Sequence, residues 1–583
     1  STTRFAVVGL CRLCSTESNT NTVISAGALP AIVHQAMHGE ETTRHFCAAT
    51  ISALTVYENN RVRLCRFEGL IESIKLLSEM QDDDTKHRCL VALCNFSCEV
   101  EIQGDLVSTG VVKVIANLAN SYHETDQQCC AKALCNLSCN EEARLRICED
   151  GGVEALMMIG MVRSYDMATK SICVEALSNL LDDKTRLCLI EEGIVGAIAN
   201  LCRIPDPKTP DTHVVHLCSS IYCFLSTCDE GRLKIAEKAS YLVSLYGMVD
   251  VGAPENPSQI NTARCTANLV AFAPVSERAL DSGALRVLDK ALQFADEDTC
   301  SHVVKACYLA ACAEPKYRLQ MARSSVPSTL AKLARGSGSE SDRQRLCIKT
   351  LTALAWHEES GRFLQNAEFV QLVLLLVEEV PPQDEDMALA AAQLLCYLLL
   401  DYPMAPELVN AGIPKALLHL GRSESELVAA QMAGMLRILA SNEVLIEELA
   451  TADTIRLLLA AARLNSSSAC QYNVIVAIYL IVSHSPESRV AVSTPDLTST
   501  LEIVSLNGPQ RASELLAAVL CTLACDMHPR LNLCGEPTAL MFSRVFENAT
   551  HADGSIIPDA HYNLVSAIFF FCKVPSMRRL MVD

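Results

Sequence analysis

Cysteine is the residue type in this chain best equipped to do chemistry, with 29 thiols in 583 residues. Cys94 and Cys98, like Cys135 and Cys139, are spaced i, i+4, which sets each pair on one helix face within reach of a common ion. A zinc site needs a second, matching pair of Cys or His. Here the cysteines recur together with their neighbours, so the pairs read as parts of a repeated sequence, and no metal is expected. Cys129 and Cys130 are adjacent and lack the two-residue spacer of a redox motif. Cys89, Cys94, Cys130 and Cys135 fall in apolar stretches, where a free thiol behaves as a small hydrophobe. This usage suits a reducing compartment and predicts a cytoplasmic location.

Other chemistries fare no better. The chain has no Gly-x-Ser-x-Gly elbow, no glycine-rich phosphate loop ending in Lys and no His-Glu-x-x-His helix. His357-Glu358-Glu359 follows Trp356 without a second metal-spaced His. Asp82-Asp83-Asp84 and Asp384-Glu385-Asp386 lack the glycine and terminal Glu of a calcium loop and are expected in solvated inter-helix loops. The sequons at Asn95 and Asn136 lie inside expected helices, which argues against glycosylation. No enzyme and no cofactor are expected.

What must position these residues is a repeat. Cys129-Cys130-Ala131-Lys132-Ala133-Leu134-Cys135-Asn136-Leu137-Ser138-Cys139 has a near copy 41 residues upstream, from His87 to Cys98, and a looser one from Ser171 to Leu181. A period of about 40 to 47 residues is the signature of stacked helical repeats. Gly27, Gly69, Gly110, Gly152 and Gly193 mark turns 42, 41, 42 and 41 residues apart. Gly283, Gly412 and Gly535 continue the period with the glycine replaced in between, giving about thirteen turns. In one unit, Val111 to Leu118 makes a second helix, Ser121 to Gln128 a polar loop, and Cys130, Ala133, Leu134 and Leu137 one apolar face of a third. Such a unit cannot bury that face alone, so its neighbours must stack on it.

Composition agrees. Hydrophobic residues make up 50 %, aromatics 5 %, and Trp occurs once, so Ala, Leu, Val, Ile and Cys must fill the interior. The mean hydropathy of +0.22 reads as burial, because the apolar run from Ala388 to Leu400 is too short to span a membrane. A net charge of −20 argues against a surface for DNA or RNA. Longer loops are expected near 204–212, 249–259 and 335–342. The chain opens on a closing helix, Phe5 to Cys14, and ends on another, Ala567 to Cys572, without polar caps, so 1–583 is read as one array cut from a longer polypeptide.

Units with a short first helix and two longer ones, closing on Ala-Leu-x-Asn-Leu, resemble the armadillo repeat of β-catenin, plakoglobin and importin-α. The resemblance is strongest from about residue 85 to 200. It implies an all-α, right-handed solenoid of about thirteen three-helix repeats, whose third helices line a concave groove. Asn95, Asn136 and Asn179 hold the groove position at which that family binds the backbone of an extended peptide; an amide can both donate and accept. Lys132 lies one turn before Asn136 and Arg88 two turns before Asn95, favouring an acidic segment. The same place is read as Arg12 and Val56 earlier, and as Trp356 or Arg437 later. The opposing possibility is that these amides only tie repeats together. The function expected is a protein-binding scaffold with protein partners, in a cytoskeletal or axonemal assembly by analogy with long armadillo proteins. The alternatives are a nuclear-import receptor, whose groove Trp would fall on Val91, Lys132 and Glu175 here, and a myosin-type co-chaperone.

Overall fold

The computed structural model describes residues 2–121, 123–162, 167–202, 211–252, 256–294, 296–336, 342–399, 412–549 and 557–582. Among them every regular element is a helix. The chain divides into two units, 1–303 and 304–583. Among the described residues the first unit holds seven second helices, from Leu29–His38 to Ala284–Phe294, and the second unit six, from Val326–Gly336 to Glu536–Asn548. Within the first unit the third helices stack in chain order: Glu41–Thr55 on Asp83–Ser97, then Glu124–Ser138, Met167–Asn179, Thr212–Leu225 and Pro257–Ala271. The second unit does the same with Asp342–Trp356 on Glu385–Leu399, and with Ser468–His484, Gln510–Cys525 and Pro558–Phe571. No described helix is long and apolar enough to cross a membrane. The long loops expected near 204–212 and 335–342 fall mostly on 203–210 and 337–341, outside the described residues, whereas that expected at 249–259 is shortened at both ends, Met248–Asp250 being a 3-10 turn and Pro257 already opening the third helix, with 253–255 outside the described residues.

The unit around Gly110 shows how sequence makes the repeat. Val111–Leu118 is the second helix, and Cys130, Ala133, Leu134 and Leu137 of the third are fully buried. The polar loop is shorter than expected, because the third helix already begins at Glu124. Glu124 and Asp126 lie in its first turn, where carboxylates complement the positive end of the helix. The acidic runs are corrected in the same way. Asp82 caps Asp83–Ser97, accepting from the Thr85 N–H at 3.0 Å, and Asp384 caps Glu385–Leu399 through the Met387 N–H at 3.1 Å. They are helix starts, not loops. The Thr85 hydrogen bonds, with help from His45, hold the Asp82 carboxyl below its ordinary range.

Two kinds of turn recur between first and second helices. Gly69, Gly110 and Gly193 sit at φ of 77, 78 and 86°, the left-handed region open to glycine. In the fourth repeat the residue in that conformation is Gly151, at 85°, while Gly152 already belongs to the second helix. Gly535, at φ 174°, is extended. At three glycine-free turns of the second unit an inverse γ-turn takes its place: Gln365, Ala450 and Ser493 have φ near −79, −74 and −73° and ψ of 64, 61 and 70°. The next residue then donates back across the turn, as Thr451 N does to Leu449 O at 2.8 Å. Asn366 and Thr451 cap the helices that follow.

The passage from a third helix into the next repeat is closed by an arginine from the following first helix. Arg61 donates to Thr55 O and Val56 O at 2.9 and 3.0 Å, Arg144 to Ser138 O at 3.3 Å, and Arg232 to Ser226 O at 3.2 Å. Arg318, Arg489, Arg530 and Arg578 repeat the contact in the second unit. Each satisfies carbonyls that a helix end leaves open, a charge-assisted bond of about 1.5–3 kcal/mol.

The turns make a paired prediction. A Cβ on Gly110 meets no atom within 4 Å, so Gly110→Ala costs only the left-handed backbone, about 1–2 kcal/mol. Gly535→Ala keeps an extended backbone any residue adopts and is expected to stay within about 0.5 kcal/mol of the parent. Amide hydrogen exchange in the adjoining helices measures both.

Candidate functional site

The three asparagines occupy one register. Asn95 lies four residues before Glu99, the N-cap of the next first helix, and Asn136 four before the corresponding Asn140. All three are half-buried. The Asn95 amide donates to Thr55 Oγ1 at 3.1 Å, that of Asn136 to Ser97 Oγ at 3.0 Å, and that of Asn179 to Ser138 Oγ at 3.2 Å. Each acceptor belongs to the preceding third helix. Its hydroxyl donates in turn to a carbonyl of its own helix, as Ser97 does to Cys94 O at 2.7 Å and Ser138 to Cys135 O at 2.7 Å. An amide N–H, a hydroxyl and a carbonyl therefore form one chain of hydrogen bonds across each of these three joints. The N–H side of each amide is engaged between repeats, through side chains, and the carbonyl oxygen remains as acceptor.

The cap register also corrects three expectations. Val56 and Trp356 stand immediately before the N-caps Tyr57 and His357, the place of Cys98 and Cys139. The asparagine register there holds Ala53 and Ala353, and before the N-cap Asn442 it holds Ile438, one residue beyond Arg437. Conversely, Asn268, four residues before the N-cap Phe272, donates to Ser226 Oγ at 2.9 Å and belongs to the ladder. Its local sequence, Cys265-Thr266-Ala267-Asn268-Leu269, lacks the Leu of Ala-Leu-x-Asn. Its usable signals were Asn-Leu itself and a hydroxyl residue 42 positions earlier. Phe224 holds the register in the intervening repeat, where the Arg186 guanidinium lies 4.3 Å from its ring.

The i, i+4 cysteines are explained by the same joint. Cys98 and Cys139 thiols donate to the carbonyls of Cys94 and Cys135 at 3.4 and 3.5 Å, and the amides of Asn136 and Asn179 reach their sulfurs at 3.4 and 3.5 Å. Burial, with Glu175 nearby, pushes the Cys135 thiol up to about 12, which suits a packing role. Lys132 is exposed and enters no ion pair among the described residues, whereas Arg88, also exposed, lies 3.5 Å from Asp84 of its own helix. Glu175 takes the place of Lys132 in the next repeat, so the charge on this face alternates.

The second unit presents a different surface on its third helices. Tyr308, Trp356 and Tyr397 line a cavity of about 350 Å³ with Lys349 and Asp386, whose charged groups lie 3.4 Å apart. Trp356, the one tryptophan of the chain, is 71 % exposed. The sequence singled out Trp356 but not the two tyrosines, which lie 48 residues before and 41 after it, near the repeat period.

No family model and no curated protein sequence matches the chain. Among solved structures it is similar to an engineered protein from a structural genomics consortium, at 21 % identity and a TM-score of 0.40, covering 70 % of this chain and 98 % of that one. A second structure comes from work on a phosphorylation switch controlling the interaction between cadherin and β-catenin, at 12 % identity and a TM-score of 0.38, covering 93 % of this chain and 100 % of that one. The fold assignment rests on the helices and their stacking, not on these likenesses.

Asn136→Ala and Ser97→Ala, singly and together, test the joint. Each single change is expected to destabilise the first unit by about 0.5–1.5 kcal/mol. Because the pair shares one bond, the double variant should cost less than the sum of the two, as read from denaturant unfolding of the three proteins.

Proposed function

We propose that this chain is a non-enzymatic protein-binding scaffold of the armadillo type, whose third-helix face in the first unit takes up extended peptide segments. The observation that carries this reading is the regular row of half-exposed amides at Asn95, Asn136 and Asn179. Their N–H groups are held by neighbouring hydroxyls, and their carbonyl oxygens are left as acceptors in one register. An extended peptide has backbone N–H groups to satisfy, and acceptors repeating from helix to helix can meet them. Lys132 supports a preference for acidic segments, and Arg88 supports it less because Asp84 already pairs with it. The import-receptor reading has less support, since Val91, Lys132 and Glu175 stand where that family carries its groove tryptophans. We place the scaffold in a cytoskeletal or axonemal assembly by analogy with long armadillo proteins.

Peptide selection on the intact chain, followed by anisotropy titration of the selected peptides, tests the proposal. Replacing Asn95, Asn136 and Asn179 by Ala together is expected to abolish binding of an acidic extended peptide. Lys132→Glu should weaken it about 1.5- to 5-fold, as an exposed charge pair of about 0.2–1 kcal/mol dictates. Unchanged affinity in the triple variant, accompanied by lower thermal stability, would show that the ladder is structural and the binding idea wrong.

A further inference from the structure

The aromatic cavity of the second unit offers a ligand different groups from the amides of the first. Each ring comes from its own third helix: Tyr308 from Glu297–Cys312, Trp356 from Asp342–Trp356 and Tyr397 from Glu385–Leu399. The last two of these helices pack directly on each other. Ala353, in the asparagine register, also lines the cavity; where an amide would reach into this space, a methyl group leaves it open. The two charges of the cavity answer each other, Lys349 Nζ lying 3.4 Å from Asp386 Oδ2. The Thr352 hydroxyl is spent on the carbonyls of Ile348 and Ala390, at 2.9 and 3.0 Å. Trp356 Nε1, the Tyr397 hydroxyl and the Gln393 side-chain amide, by contrast, have no hydrogen-bond partner among the described residues. An indole N–H can only donate. The cavity therefore presents aromatic faces, uncommitted donors and no net charge.

We propose that this cavity binds a proline-rich segment of a protein partner in the polyproline II conformation. Such a segment has no N–H at its prolines and leaves its carbonyls without internal partners, so it brings acceptors to Trp356, Tyr397 and Gln393. Its pyrrolidine rings are uncharged and lie against aromatic faces, the recurring mode of recognition for this conformation. The spacing agrees as well. Packed helices stand about 8–10 Å apart, and polyproline II repeats every three residues, over about 9 Å, so one ring per helix meets one turn of the ligand. Other occupants fit less well. A partner helix has its own backbone satisfied and would cover the donors without meeting them. A Lys or Arg side chain would find Asp386 already paired and the Lys349 ammonium beside it. An extended segment of other residues adds an N–H at every position, and no row of asparagine carbonyls faces it here. The assignment does not depend on the peptide reading of the first unit.

Trp356 is the one tryptophan of the chain, so tryptophan emission reports on this cavity alone. Titrating the intact chain with an oligoproline of about ten residues, roughly 31 Å long as polyproline II, is expected to give a saturable blue shift as the exposed indole is covered. A Gly-Ser peptide of equal length should give none. In anisotropy titrations with labelled oligoproline, Trp356→Ala should weaken binding at least about tenfold, as loss of a central aromatic contact does; the side chain is 71 % exposed, so the fold does not need it. Tyr397→Phe keeps the ring, removes one donor and should cost about 2- to 10-fold. Affinity should be equal at low and high salt, because the ligand is uncharged. The emission of the unaltered chain decides the matter if a variant fails to fold. Emission unmoved by oligoproline, parental affinity in Trp356→Ala, or a larger, salt-sensitive shift with oligolysine, the mark of a cation site, would overturn the proposal.

Discussion

The contact on which the repeat depends is the one between a first-helix arginine and the carbonyls that end the third helix before it. A third helix must stop abruptly, because the next helix leaves in another direction, and its last carbonyls lose their intrahelical donors at that point. The guanidinium of Arg61, Arg144, Arg232, Arg318, Arg489, Arg530 or Arg578 supplies fixed donors there and places a positive charge at the negative end of the helix. Several of these groups extend further. Arg61 pairs with Glu99 at 2.9 Å, Arg489 pairs with Asp526, and Arg232 lies 4.6 Å from the Phe272 ring. All three partners are N-cap residues of the following first helix, so one side chain sets the relation among three successive elements.

With the ends of the third helices fixed, their sides can be brought into register. Leu93, Leu134 and Leu177 are fully buried at equivalent places, and full burial of such a side chain is worth about 1.5–3 kcal/mol. Apolar packing alone would tolerate some sliding along a smooth Ala- and Leu-rich surface. The amide-to-hydroxyl bonds do not, since a displacement of one residue would leave a partly buried N–H without an acceptor. At the other end, His45 with Asp82 and His87 with Asp126 pin the starts of the third helices across two of the same joints, and Arg345 with Asp384 does so at a joint of the second unit.

The fold was legible because it is written thirteen times, and errors at single positions do not accumulate. Helix boundaries were less legible. The start at Glu124 and the caps at Asp82 and Asp384 look like loop sequence, since the carboxylates that favour a helix N-terminus also favour solvent. The glycine period faded after Gly193 because a left-handed glycine and an inverse γ-turn with a polar cap solve the same geometric problem with unrelated residues. The site was half legible. Asn95, Asn136 and Asn179 stand out by pattern, but their hydroxyl partners are about 40 residues away and are common residues, so the bonds that engage them could not be read. Counting from the sequence motif misplaced Val56, Trp356 and Arg437. Counting back from the next helix cap places them correctly and finds Asn268.

The ladder also has a direction. Every tie runs from an amide in a later repeat to a hydroxyl in an earlier one, and that hydroxyl already donates within its own helix. Losing the last repeat of such a ladder strands no donor, whereas losing the first strands one. Within the first unit the ladder can thus lose its last rung more readily than its first.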